Sequence, residues 1–178
     1  MVPQLVIAPL VIALGTAIIT LFARRFPRAQ QAMSLAGALA YLVSVVLLAD
    51  AVAAQSILTY QLSAWPAPFG ITLVADALSV FMLGLSSIIS LAAVVFSTRF
   101  MSEYAQRISY HSLYHFMVVG ITGSFLTGDI FNLFVWFEVL LLPSYVLVVF
   151  YSGPEHTRAA LQYTVLNLIG SAVMLLAV

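Results

Sequence analysis

Polar and apolar positions segregate into blocks along this chain. Six apolar runs, at about 4–22, 32–53, 75–96, 110–127, 130–151 and 159–178, are separated by short polar stretches. About 20 apolar residues cross a bilayer as a helix. The pattern therefore predicts an all-α polytopic membrane protein, a single transmembrane domain over 1–178 with six spanning helices. The fourth run is the weakest, since its apolar stretch covers only 113–126 and reaches spanning length by taking in Tyr110, His111, Ser112 and Thr127. Gly128 and Asp129 alone separate it from the fifth, which predicts a tight antiparallel helix pair.

The longest connection, 54–74, has a pattern of its own. Leu58, Tyr60, Leu62 and Ala64 alternate with Thr59, Gln61, Ser63 and Trp65, and Pro66, Pro68 and Gly70 precede a second extended segment at 71–74. A period of two bounded by turn residues predicts a short β-hairpin. Trp65 is placed in the interfacial aromatic belt.

Composition agrees with a membrane chain and removes several chemistries. Hydrophobic residues make up 63% and charged residues 7%, against about 25% charged in soluble domains. Net charge is zero, so a basic nucleic-acid surface is excluded. Cysteine is absent, which excludes disulfides, thiolate chemistry and iron-sulfur ligation. No cofactor or metal site and no enzymatic centre is expected.

The six basic residues are all arginines: Arg24, Arg25 and Arg28 in the first connection, Arg99 and Arg107 in the third, Arg158 in the fifth. Arginine-rich short loops stay in the cytoplasm. That places the N-terminus, the hairpin and the acidic connections with Asp50 and Asp129 outside, in a bacterial-type cell (inner) membrane. The first run has its arginines after it and none before, the reverse of a secretory leader, so it is expected to be retained.

Glu138 stands near the middle of the fifth run, where the only other polar positions from 130 to 151 are Asn132, Ser144 and the tyrosine hydroxyls. An ionisable group at that depth costs at least a few kcal/mol and marks ion or proton traffic by default. The alternative is an acid kept neutral or paired with a buried base that only holds helices together. Pro143 cannot donate to the Val139 carbonyl, which predicts a bend and a freed oxygen near the carboxylate. Tyr145 shares the Glu138 face, and Asn132 either extends a polar file outward or makes a helix-helix hydrogen bond.

His111 and His115, four apart, share a face of the fourth helix, on the order of 12 Å below Glu138. Two histidines supply only half of a zinc site, so they are read as a proton relay or as interfacial hydrogen-bonding groups. Asp76 is expected to cap the third helix. Arg99, Glu103 and Arg107 read as a solvated helical extension, and Pro154 and Glu155 as a helix start, with Glu155, His156 and Arg158 in a solvated turn. Gly170 and Ser171 are expected to form a close-packing face, with Gln162 and Asn167 as polar contacts.

The stretches AWPAPFGITLVADALS (64–79), LTGDIFNLFVWFEVLLLPSYVL (126–147) and LQYTVLNLIGSA (161–172) resemble the D subunit of the Mrp-type multisubunit Na+/H+ antiporters. The D subunit belongs to the antiporter-like, proton-translocating membrane subunits shared with respiratory complex I and membrane-bound hydrogenases. The resemblance implies that Glu138 is the fifth-helix glutamate that pairs with a lysine on a broken seventh helix. It also implies an inverted-repeat fold of about fourteen helices, hetero-oligomeric partner subunits, and protons with Na+ as cargo. The chain is then expected to be the N-terminal part of a longer protein. The alternatives are a proton-pumping subunit of a redox complex, or an assembly fragment without conduction of its own.

Overall fold

The computed structural model describes residues 4–62, 70–101, 109–149 and 154–177, without the side chains of 154–156. Trp65, Pro66, Pro68, Glu103 and Arg107 lie outside the described residues, as do the side chains of Glu155 and His156.

Among the described residues six α-helices and a two-stranded sheet follow in order: α1 (Gln4–Phe22), a 3-10 turn (Ala23–Arg25), α2 (Pro27–Gln55), β1 (Leu58–Gln61), β2 (Thr72–Ala75), α3 (Ala77–Phe100), α4 (Tyr110–Leu126), α5 (Ile130–Val148) and α6 (Pro154–Ala177). Three helices start away from their apolar runs, and α6, like α2, opens on a proline, Pro154. Helix α2 begins at Pro27, whose fixed φ suits a first turn, so its polar first turns are helical outside the apolar block. Helix α3 begins later than its run because Ala75 still pairs with Leu58 in the sheet. The Asp76 carboxylate then accepts from the Ser79 N–H at 2.7 Å and starts the helix.

The predicted hairpin is antiparallel, with Leu58 opposite Ala75 and Gln61 opposite Thr72. Its apolar side, Leu58, Leu73 and Ala75, is buried against the bundle. Strand β2 also reaches the α4–α5 turn: Leu73 bridges Thr127, and the Gly128 N–H donates to the Thr72 carbonyl at 2.9 Å. One end of the bundle is thus tied by backbone hydrogen bonds.

Among the described residues five helices are long and apolar enough to cross a membrane by length and composition; α4, with 17 residues, falls short. Its position explains this. Helix α4 packs against α1, α2, α3 and α5, and His111, Ser112, His115 and Thr122 are all buried. A helix surrounded by helices needs no continuous lipid-facing surface, so it tolerates polar residues that find partners inside the bundle. The outer helices turn large apolar side chains outward instead, such as Phe81, Ile89 and Leu166.

Hydrophobicity does not drive helices together in lipid, so close packing must. A β-carbon at Gly120 would meet the backbone of Leu140, and one at Gly123 would meet the Trp136 ring. Gly37 abuts Thr16 in the same way. Gly170, by contrast, has open space around it among the described residues, and Ser171 bonds within its own helix to the Leu168 carbonyl. The close-packing face expected on α6 is therefore not occupied by any described residue.

Candidate functional site

The α4–α5 pair sets the geometry. Gly123 faces Trp136 and Gly120 faces Leu140, so the antiparallel register places Glu138 level with the stretch around Thr122. Trp136, Leu140 and the buried Pro143 lie on the α5 stripe toward α4. Glu138 is about 140–160° around the helix from that stripe. It therefore turns away from α4. One carboxylate oxygen, Oε1, is buried and has no hydrogen-bond partner among the described residues. On the same side of α5, the flanking Phe131 and Leu142 are exposed.

Tyr145 follows Glu138 by two turns and shares its face, about 10 Å along the axis. Its hydroxyl is likewise buried without a partner, and its ring meets Tyr163 of α6 edge-on at 5.6 Å. The Ser144 hydroxyl goes to the Leu141 carbonyl at 2.7 Å and lies 3.3 Å from the Tyr163 hydroxyl. Two unpartnered oxygens on one apolar helix face are costly. They mark the side of α5 that a further polar group or water would complete.

Asn132 sits elsewhere. Its backbone N–H donates to Asp129 Oδ1 at 2.7 Å and its side-chain amide to Asp129 Oδ2. It is about 120° around the helix from Glu138 and belongs to the α5 cap.

The histidines form a second polar system on the opposite side of α4. Ser34 Oγ of α2 lies 3.0 Å from His111 Nδ1 and 2.8 Å from His115 Nε2. All three side chains are buried. His115 is about 10 Å below Glu138 by register, close to the sequence expectation, but the α4 backbone lies between them. Nearby, Gln30 Nε2 donates to the Thr20 carbonyl at 3.0 Å and Ser112 Oγ to the Ala17 carbonyl at 2.8 Å. Tyr41 and Thr122 pair at 2.9 Å higher on the same faces. The structure thus brings His111 and His115 together, brings Tyr145 to the Glu138 face, and keeps the two sets apart.

Ser34, Gln30, Tyr41 and Thr122 were not singled out from sequence. The available signal was the recurrence of polar Gln30, Ser34, Tyr41 and Ser44 on one stripe of an apolar helix. Among the described residues no group of three or more His, Cys, Asp or Glu side chains forms a metal site. Outside the membrane-spanning helices, the Ser79 backbone N–H holds the Asp76 carboxyl below the usual carboxylate range.

Bilayer-length helices, a strand pair tied across one end and a carboxylate buried mid-helix define a polytopic α-helical membrane protein. Residues 127–178 match the family described as NADH:quinone oxidoreductase/Mrp antiporter, TM. Over 142 residues the chain is 44% identical to the probable K(+)/H(+) antiporter D subunit of Rhizobium meliloti, covering 78% of this chain and 26% of that protein. Over 173 residues it is 35% identical to the Na(+)/H(+) antiporter D subunit of Bacillus subtilis, covering 97% of this chain and 35% of that protein. Among solved structures, a chain of the Mrp complex from Dietzia sp. superposes with a TM-score of 0.87 at 27% identity, over 98% of this chain and 33% of that one. A chain of an archaeal membrane-bound sulfane sulfur reductase gives 0.88 at 22% identity, over 95% of this chain and 35% of that one, a likeness of fold. The chain belongs to the family of antiporter-like membrane subunits shared by NADH:quinone oxidoreductases and Mrp antiporters. It spans about a quarter to a third of the length of the curated relatives it matches.

Proposed function

We propose that this chain is part of the D subunit of an Mrp-type monovalent cation/proton antiporter, with Glu138 as its membrane-embedded proton-carrying group. The observation that carries the reading is Glu138 Oε1, buried and, among the described residues, unpartnered on a side of α5 where Phe131 and Leu142 are exposed. A carboxylate in that position gains most from a partner that arrives with a proton or a positive charge. The relatives named as Na(+)/H(+) or K(+)/H(+) antiporter subunits support antiport over redox pumping. Partners are then the other subunits of a hetero-oligomeric complex, and the cargo is protons and a monovalent cation, Na+ first.

Orientation follows from charge. Arg24, Arg25, Arg28, Arg99 and Arg158 all fall at the end of the bundle opposite the β-hairpin by helix order. Positive loops face the cytoplasm, so the N-terminus and hairpin face outward across the cell membrane. In this reading Tyr145 sits on the cytoplasmic side of Glu138 and is the nearest hydroxyl on its face. The test is Glu138→Gln in the full-length product expressed with its neighbouring subunits, assayed in everted vesicles for cation-dependent collapse of a pH gradient. Exchange should fall at least about tenfold while the complex still assembles; wild-type exchange would remove Glu138 from the path.

A further inference from the structure

The row His111–Ser34–His115 has a property that its distances and chemistry impose. A serine hydroxyl owns one hydrogen and can donate it to only one ring. Both rings lie within hydrogen-bond distance of the same oxygen, at 3.0 Å and 2.8 Å. Ser34 Oγ can also accept twice, but among the described residues it has no hydrogen-bond partner besides the two rings, so with neutral rings its hydrogen goes to one histidine while the other donates its N–H to Ser34. If His111 donates from Nδ1, His115 accepts at Nε2 and carries its own hydrogen on Nδ1. If His115 donates from Nε2, His111 accepts at Nδ1 and carries its hydrogen on Nε2. Either way, both rings hold the same tautomer.

We propose that Ser34 couples His111 and His115 into one proton-exchanging unit at the arginine-rich end of the bundle, with His111 Nε2 as its open end. Among the described residues the buried His111 Nε2 has no partner, and neither has the buried Gln30 Oε1, one turn before Ser34 on α2. Both residues are fully buried. A water delivering a proton to His111 Nε2 makes that ring an imidazolium. Its Nδ1 proton passes to Ser34 as the Ser34 hydroxyl proton passes to His115 Nε2, and His115 then releases its Nδ1 proton to water. One proton enters and one leaves, and the row is left in the opposite shared tautomer.

The surroundings favour proton exchange over fixed charge. The titratable rings beside the pair are Tyr110, 5.4 Å from His111, and Tyr114, 5.8 Å from His115. Helix α1 offers only hydroxyls and carbonyls there, Arg99 of α3 and Arg28 of α2 are exposed, and Glu138 and Tyr145 lie across α4. One turn further in, buried Ala38 and Val118 separate the row from the Tyr41–Thr122 pair. The unit is therefore local. It rests on the reading of this chain as a proton-handling subunit only for its use, and its test does not depend on transport.

The experiment is 15N NMR of histidine-labelled full-length chain, assembled with its partner subunits in bilayers, with His111→Gln and His115→Gln identifying the two rings. The wild type should show both neutral rings in the same tautomer and both responding at the same first macroscopic midpoint. Ser34→Ala should separate the two midpoints, and Ser34→Thr, which keeps a hydroxyl, should restore the shared one. Opposite tautomers in the wild type, or a shared midpoint that survives Ser34→Ala, would overturn the proposal. Glu138→Gln should leave these spectra unchanged while abolishing exchange, so failure of either reading is seen separately.

Discussion

A single carboxylate at the start of α3 shows how charge acts at the bundle surface. Asp76 accepts the Ser79 N–H, which keeps its folded-state pKa below that of the unfolded chain. Its stabilising contribution is therefore fully present above the unfolded aspartate value of about 3.9 and is lost as pH falls through the lower folded value. Asp76→Ala should destabilise the folded chain by about 0.5–2 kcal/mol at neutral pH, measured by thermal unfolding in detergent, and Asp76→Asn by much less. Inside the bundle, Tyr41→Phe removes the partner of Thr122 but leaves Thr122 bonded to the Val118 carbonyl at 2.7 Å. Its cost should stay within about 0.5–1.5 kcal/mol in the same assay. At this scale the sequence was readable where a residue type is expensive in its setting. Glu138 announces itself by its cost, and Asp76 by standing just before a helical run. Ser34 could not be found that way, because a serine in a membrane helix is cheap and usually bonds its own backbone. Only the packing of α2 on α4 puts its hydroxyl between two histidines.

Helices α4 and α5 meet so closely that side-chain volume decides whether they can. At Gly120 an added methyl meets the Leu140 backbone, which cannot rotate away, whereas at Gly123 it meets the Trp136 ring. Gly120→Ala should therefore cost more than Gly123→Ala, both in the range of about 1–3 kcal/mol for overpacking. Gly170→Ala, with open space around it among the described residues, should be close to neutral. Melting temperatures of the three variants in one detergent would rank them. Because Trp136 and Leu140 flank Glu138, the Gly120 variant should also lower exchange by shifting the carboxylate. Element types were legible from block length and from the period of two in the hairpin. The polar content of α4 was legible too, but not its cause, since a short polar run looks like a weak span until the helices around it are known. The two-sided division of the polar residues was out of reach for the same reason. Periodicity places residues on a face of their own helix and does not say which neighbour that face meets.

On the scale of the whole molecule, the chain has a closed end and an open side. Backbone hydrogen bonds from β2 to the α4–α5 turn tie the end that the arginine pattern places outside. The histidine row occupies the other end, and on the Glu138 face of α5 Tyr145 meets Tyr163 of α6 while Phe131 and Leu142 are exposed. The chain spans about a quarter to a third of the length of the curated relatives it matches. The proposed proton-carrying role of Glu138 is tested most directly by cation-dependent collapse of a pH gradient by the full-length assembled complex, wild type against Glu138→Gln. The glutamine variant should assemble normally and lose at least about tenfold in exchange. A normally assembled Glu138→Gln complex that exchanges at the wild-type rate would contradict the claim.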